Sequence, residues 1–340
     1  MLSRVANTLY WMVRMVERAD NLARLVDVNE QSLLDSGQMD SATETAYWMS
    51  IVKSTGDDAL FSDLYGSGEA NEIISFLTEE ERNPNSINSC ISQARESARM
   101  VRDQLSDELW EEINELYLFI RSAAGKKMLK VDATRYYAHI RRSVFTFQGV
   151  AASTIDRTMG WDFMDLGRHI ERADKTTRFL DIVTYLPDGS SQKYHWNSIL
   201  RSCGAVGAYR ALYANAVEME KVLELLVFSR SFPRSIRYCI QRVSQCLHSI
   251  SGSAEFDYTD GAERATGRLL ADLNFSDVND LLKPGLHESL DLLQTRFNLI
   301  GDGVFETYVL IPNVINEMPV FARHQSHAKA WKTQQEQQQQ

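Results

Sequence analysis

A chain of 340 residues, 44% hydrophobic and 10% aromatic, can bury one large core or two modest ones. Its 36 Lys and Arg against 46 Asp and Glu give a formal charge of -10 at pH 7, which disfavours a broad nucleic-acid-binding face or contact with an anionic membrane. Cys90, Cys203, Cys239 and Cys246 show neither a CxxC pair nor zinc spacing, and no run of roughly 18 apolar residues occurs, so a disulfide framework, a zinc site and a membrane span are not expected.

The amino terminus lacks the apolar stretch and small-residue cleavage site of a signal peptide, so a cytoplasmic location is expected. From Leu9, "LYWMVRMVERADNLARLVDV" spaces its apolar residues by three and four, the helix period. At about 100° per residue, Val5, Leu9, Met12, Val13, Val16, Ala19 and Ala23 share an arc that faces a core. Arg14, Glu17, Arg18 and Asn21 fall opposite, among Tyr10, Trp11, Leu22 and Leu25, where buried charges need partners. "WMSIVKSTG" follows from Trp48 and "PNSINSCI" from Pro84, with Asn83 and Pro84 read as the N-cap and first-turn residues of a helix. In "CISQARESARMVRDQL", Arg95, Arg99 and Arg102 are spaced to share one helix face. They could hold a carboxylate or phosphate, or lie solvated against Glu96 and Asp103. "AAGKK" near Gly125 lacks the rest of a P-loop, and Asp132 reads as another N-cap.

Past Gly160 the pattern restarts. With Glu171 of "FMDLGRHIERADKTTRFLDI" set on Glu17, the residues Arg14, Arg18, Ala19, Asp20, Arg24 and Asp27 all meet identical residues. Pro187-Asp188-Gly189 is read as the stop of this second helix. "WNSILRSCG" from Trp196 then repeats "WMSIVKSTG", and "PRSIRYCI" from Pro233 repeats "PNSINSCI", in the same order. Strand signals are nearly absent. The predicted fold is all-α: an internally duplicated helical bundle, its two pseudo-equivalent halves (1–158 and 159–315) packed as one compact unit. The tail, 316–340, ends in a Gln-rich run expected to be disordered.

Four segments, "MLSRVANTLYWMVRMVERADNLARLVDV", "SINSCISQARESARMVRDQLSDELWEEIN", "GWDFMDLGRHIERADKTTRFLDI" and "SFPRSIRYCI", together resemble the Alpha-E family, bacterial all-helical proteins named for an ER motif. The resemblance runs from Met1 to about Pro312 and makes Glu17-Arg18 and Glu171-Arg172 the ER positions. It also implies company: a circularly permuted ATP-grasp protein, encoded beside or fused to family members, and a transglutaminase-like protease. Ser97 stands where many relatives carry Asn.

Three readings of the ER motifs are open. Glu17 could pair with Arg172 and Glu171 with Arg18 across a pseudo-two-fold axis, locking the register. The same groups, with Arg14 and Arg168, could instead line a cleft in which Glu17 and Glu171 act as acid and base or cation ligands and the arginines clamp an anion. They could also form an exposed ion-pair stripe of little consequence. His139, His169, His195, His248 and His287 form no metal-ligand pattern, and no catalytic signature occurs, so no metal and no cofactor are expected. The expected function is a non-catalytic partner of an ATP-grasp peptide or amide ligase, with Arg95, Arg99 and Arg102 facing an anion. The alternative is an enzyme acting on amide bonds through Glu17 and Glu171. A homo-oligomer is left open.

Overall fold

Helix period dominates the sequence, and among the described residues no strand forms. The computed structural model describes residues 1, 3–35, 41–66, 68–186, 192–213 and 216–310; the Pro187-Asp188-Gly189 stop and the 316–340 tail lie outside them. The first helices are α1 (Ser3–Asp35), α2 (Ser41–Thr55), α3 (Asp58–Leu64), α4 (Ala70–Thr78), α5 (Ile87–Met100), α6 (Asp107–Arg121), α7 (Ala123–Val131) and α8 (Ala133–Thr154). Then come α9 (Met159–Asp181), α10 (Gln192–Ser202), α11 (Val206–Tyr213), α12 (Met219–Leu223), α13 (Ile236–Ser251), α14 (Gly261–Phe275), α15 (Val278–Leu282) and α16 (Leu286–Tyr308). None of them is long and apolar enough to cross a membrane.

The two ERAD segments form α1 and α9, the central pair. Against α1 pack α5 and α8, with α6 laid on those two, and against α9 pack α13 and α16, with α14 laid on those two. Leu9, Met12, Val13, Val16, Ala19 and Ala23 are buried as their arc requires, and so are Tyr10, Leu22 and Leu25 on the opposite side. Burial all round a helix is what a central position demands. The close approach of α1 and α9 depends on Gly167, where a Cβ would lie 2.5 Å from the Tyr10 carbonyl oxygen.

The recurring "P-x-S-I" segments are helix starts. Ser86 accepts from the Ser89 N–H at 3.2 Å to cap α5, and Ser235 accepts from the Tyr238 N–H at 3.1 Å to cap α13. The cap is therefore Ser86, not Asn83. Asn83 braces the preceding turn, donating from Nδ2 to the Phe76 carbonyl at 3.0 Å and accepting from the Asn85 N–H at 2.9 Å. Asp132 does cap α8, accepting from the Arg135 N–H at 3.0 Å. Cys90 and Cys239 follow the serine caps into the core, where burial pushes each thiol up to about 12, unsuited to a nucleophile.

The glycines that close the two "W-x-S-I" segments also have a shared cause. Gly56 (φ 78°) and Gly204 (φ 63°) take the left-handed conformation that ends α2 and α10. A Cβ on Gly56 would stand 3.4 Å from Arg178 Nη1, and one on Gly204 would stand 3.6 Å from Arg24 Nη1. Arg178 and Arg24 are themselves matching residues of the two ERAD helices.

Candidate functional site: crossed ion pairs between the central helices

Glu17 and Glu171 are both 0% exposed. Arg172 grips Glu17 with two parallel bonds, Nε to Oε1 at 2.8 Å and Nη2 to Oε2 at 2.9 Å. Arg18 grips Glu171 in the same way, Nε to Oε1 at 2.6 Å and Nη2 to Oε2 at 3.1 Å. These are the crossed pairs that the duplicated motif suggests. Each tetrapeptide supplies one carboxylate and one guanidinium, so neither helix completes a pair alone.

Further donors saturate the carboxylates. Arg14 Nε reaches Glu171 Oε2 at 2.8 Å, and Lys175 Nζ lies 3.6 Å from its Oε1. On the other side, Gln148 Nε2 of α8 donates to Glu17 Oε2 at 2.8 Å, while Arg234 Nη2 lies 3.3 Å from Oε1. Burial by itself would raise both carboxyls, but the surrounding guanidinium charges outweigh it. Arg172 and Arg234 hold Glu17 far below the ordinary carboxylate range, and Arg18 and Arg14 hold Glu171 at about 2.

The last residue of each ERAD continues the network. Asp20 accepts from Arg24 at 2.8 Å and from Arg234 at 2.6 Å; Asp174 accepts from Arg178 at 2.9 Å and from Lys175 at 3.0 Å. Arg178 also donates to the Ser54 and Thr55 carbonyls at 3.1 and 3.0 Å, tying the end of α2 to α9. Arg168 departs from its counterpart. Arg14 crosses to Glu171 with Trp11 beneath it, whereas Arg168 turns back to Asp165 of its own helix.

Two shallow clefts flank this network, one bordered by Arg18, Asp57, Asn85 and Lys175, the other by Gln148, Trp161 and Arg168, each with room for little more than a water molecule. Neither Glu17 nor Glu171 lines either cleft. A general acid or base needs an accessible proton site and a pKa near working pH. These carboxylates have neither; each instead bonds to a guanidinium of the opposite central helix. Among the described residues, no group of three or more His, Cys, Asp or Glu side chains converges as a metal site.

The first-half arginines are arranged differently from the expectation of one shared helix face. Helix α5 ends at Met100, so Arg102 falls in the following 3-10 turn, Arg102–Gln104. Arg95 and Arg102 nevertheless converge over the Trp110 ring, at 5.4 and 5.7 Å from its centre, and Arg95 also covers Tyr117. Glu96 meets Arg95 and Arg99, and Asp107, rather than Asp103, meets Arg102. Arg99 is 62% exposed. Two of the matching second-half residues are held locally instead: half-buried His248 Nδ1 meets Ser253 Oγ at 2.7 Å, and exposed Ser251 Oγ donates to buried Glu263 at 2.5 Å.

Sequence reasoning missed Arg234, Gln148, Lys175 and Asn85 as members of the network. Arg234 and Asn85 occupy the same place in "PRSI" and "PNSI", and that mismatch inside a repeated segment was the available signal. Nothing local marks Gln148, which arrives from α8 by tertiary packing.

The Alpha-E family model, described as a predicted alpha-helical domain with a conserved ER motif, matches residues 1–309. Uncharacterised proteins of Mycobacterium bovis and Mycobacterium tuberculosis are 25% and 24% identical over 266 residues, 74% of this chain. The chain spans only 30% of the length of those relatives. No solved structure matches.

Proposed function

The chain belongs to the Alpha-E family, and we propose that it is a non-catalytic helical partner of an ATP-grasp ligase that forms peptide or amide bonds in a bacterial cytoplasm. Arg95, Arg99 and Arg102 meet an acidic surface of the ligase or an anionic peptide substrate. One observation carries this reading: the charges of the ER motifs are spent on one another in the interior, whereas beside Trp110 Arg99 is exposed and Arg95 and Arg102 are half-buried, paired only with surface carboxylates. The Trp110 ring lies close to the guanidinium groups of Arg95 and Arg102, and Arg99, paired with Glu96 at 2.9 Å, is the most exposed of the three and the one offered to a partner.

The ligase itself comes from the resemblance, which associates the family with circularly permuted ATP-grasp proteins and, second, with a transglutaminase-like protease. The longer mycobacterial relatives fit a helical unit that works inside a larger assembly. An internal duplication with halves 1–158 and 159–315 is part of the same proposal. It is supported by the crossed ERAD pairs, the paired serine caps and the matched positive-φ glycines. After such a duplication the interior pairs keep both copies in register, and the outer arginines of one half are left to diverge toward a partner.

Co-purification and titration with the neighbouring ATP-grasp protein test the proposal. Arg99→Glu is expected to weaken the complex by about tenfold or more, the loss of at least one charge-assisted contact. Lys283→Glu, which alters an 81% exposed side chain elsewhere, should leave it unchanged. Equal affinity for both variants, or no complex at any concentration, would contradict the reading.

A further inference from the structure

Helices α6 and α8 pack side by side, and their charges are sorted by sign. α6 carries Asp107, Glu108, Glu111, Glu112 and Glu115 against Arg121 at its end, whereas α8 carries Arg135, Arg141 and Arg142 and no Asp or Glu. The two run in opposite directions. Ser106 Oγ lies 2.9 Å from Thr154 Oγ1 at one end, and Phe119 packs against Tyr136 and His139 toward the other. Each helix buries one ridge, marked by Ile113 and Leu116 on α6 and by Ile140 and Val144 on α8. Away from those ridges, at spacings of three, four and seven, Glu108, Glu111 and Glu115 are exposed on α6, and Arg135, Arg142 and Gly149 are exposed on α8.

Neither stripe is neutralised within the chain. Asp107, Arg121 and Arg141 pair with Arg102, Glu81 and Asp27, but among the described residues Glu108, Glu111, Glu115, Arg135 and Arg142 enter no ion pair. The outer pair on the α9 side is built otherwise: α14 and α16 each mix both signs, and Arg296 of α16 pairs directly with Asp272 of α14. An unpaired acidic stripe beside an unpaired basic one is complementary to itself. A two-fold axis parallel to the helices lays α6 of one copy on α8 of the other, acid on base, and does so twice. Nucleic acid or an anionic membrane fits worse. Either would meet the acidic stripe of α6 about one helix diameter from the basic one, roughly within the 8 Å over which salt screens charge.

We propose that the face formed by α6 and α8 is the interface of a symmetric homodimer, in which the α6 glutamates of each copy meet the α8 arginines of the other. The register follows from contacts within one copy. Glu112 bonds to Ser143, and Phe119 lies beside Tyr136 and His139, so Glu111 and Glu115 stand at heights on either side of Arg142. A two-fold parallel to the helices preserves height. Glu111 and Glu115 of one copy therefore flank Arg142 of the other, and Leu118, 56% exposed, comes over Ala138. Gly149, where an added Cβ would meet nothing within 4 Å, leaves the outer surface of α8 open to a close approach. The opposite flank of α6, with Trp110 and Tyr117, is taken up by Arg95, so the dimer leaves that corner open and does not depend on the ligase reading.

Analytical ultracentrifugation of the full-length chain across micromolar concentrations tests this, with two charge-reversed variants. One combines Glu111→Lys with Glu115→Lys, and the other combines Arg135→Glu with Arg142→Glu. Each variant sets like charge on like charge in both contacts, so each alone is expected to dimerise more weakly than the unaltered chain by about tenfold or more. Mixed in equal amounts, the two restore both contacts, and a heterodimer within about threefold of the unaltered affinity is expected. Misfolded variants could not recover in this way, and circular dichroism checks each one alone. An unaltered chain that stays monomeric at every concentration would overturn the proposal. So would either variant dimerising as tightly as the unaltered chain, or a mixture of folded variants that stays monomeric.

Discussion

A carboxylate taken fully out of water persists as an anion only where cations replace the lost hydration, and Glu171 has three of them in Arg14, Arg18 and Lys175. Glu171→Gln removes the negative charge and leaves those cations facing one another, so it is expected to cost about 3–5 kcal/mol of folding stability. Denaturant unfolding measures this directly, and a loss below about 1 kcal/mol would refute it. The effect depends on pH with a definite sign. The folded-state pKa of Glu171, about 2, lies below the unfolded value near 4.5. Its stabilisation is therefore complete above the unfolded value and lost as pH falls through the folded one. The gap between the unaltered chain and Glu171→Gln should stay constant above about pH 4.5 and narrow toward pH 2; a gap that widened on acidification would contradict this. Much of the network could be read in advance, because two identical charged tetrapeptides in apolar helices have few partners other than each other. Arg234 and Gln148 could not, since they enter from segments whose approach only packing decides.

Among the helices, a tight constraint lies where α1 meets α9. Gly167 has space for a hydrogen but not a methyl group, because a Cβ would meet the Tyr10 carbonyl at 2.5 Å, and backbone cannot swing aside as a long side chain can. Gly167→Ala gains helix propensity, yet it is expected to destabilise by about 1–3 kcal/mol through overpacking. Gly149→Ala in α8, where nothing lies within 4 Å of the added carbon, should instead be neutral or stabilising. Thermal midpoints of the two variants moving in the same downward direction would contradict the account. The serine caps make a second pair: Ser86→Ala and Ser235→Ala should each cost about 1 kcal/mol, with a larger loss for neither. Helix existence and burial were legible from apolar spacing alone, whereas boundaries were not. Asn83 and Pro84 carry cap-like chemistry but serve the turn before the helix. The three-and-four spacing of the arginines runs on through Val101, where the backbone leaves the helical region (φ −119°, ψ 32°) and carries Arg102 off the face.

At the scale of the whole molecule, the charges divide into interior groups that bond helix to helix and exterior groups whose pairs face solvent. The interior set is nearly the same from both ends of the chain, which is why the repeat in the sequence announced it. The exterior set differs: Arg99 projects into solvent, while His248 at the matching place is drawn into the Glu263 network. The cleft beside Asp57 arises from the same kind of difference, a smaller residue in one half where the other has an arginine. Such asymmetries are visible in an alignment of the halves as mismatched letters, but their meaning appears only when the space around them is known. The central claim is that the ERAD motifs fasten α1 to α9, and a double-mutant cycle on Glu17 and Arg172 tests it most directly. With Glu17→Gln, Arg172→Met and the combined variant compared by denaturant unfolding, the pair should show a favourable coupling of about 1.5–3 kcal/mol, the double variant losing clearly less than the two single losses together. A coupling within about 0.5 kcal/mol of zero would mean that the crossed pair does not hold the helices together, and the account would fail.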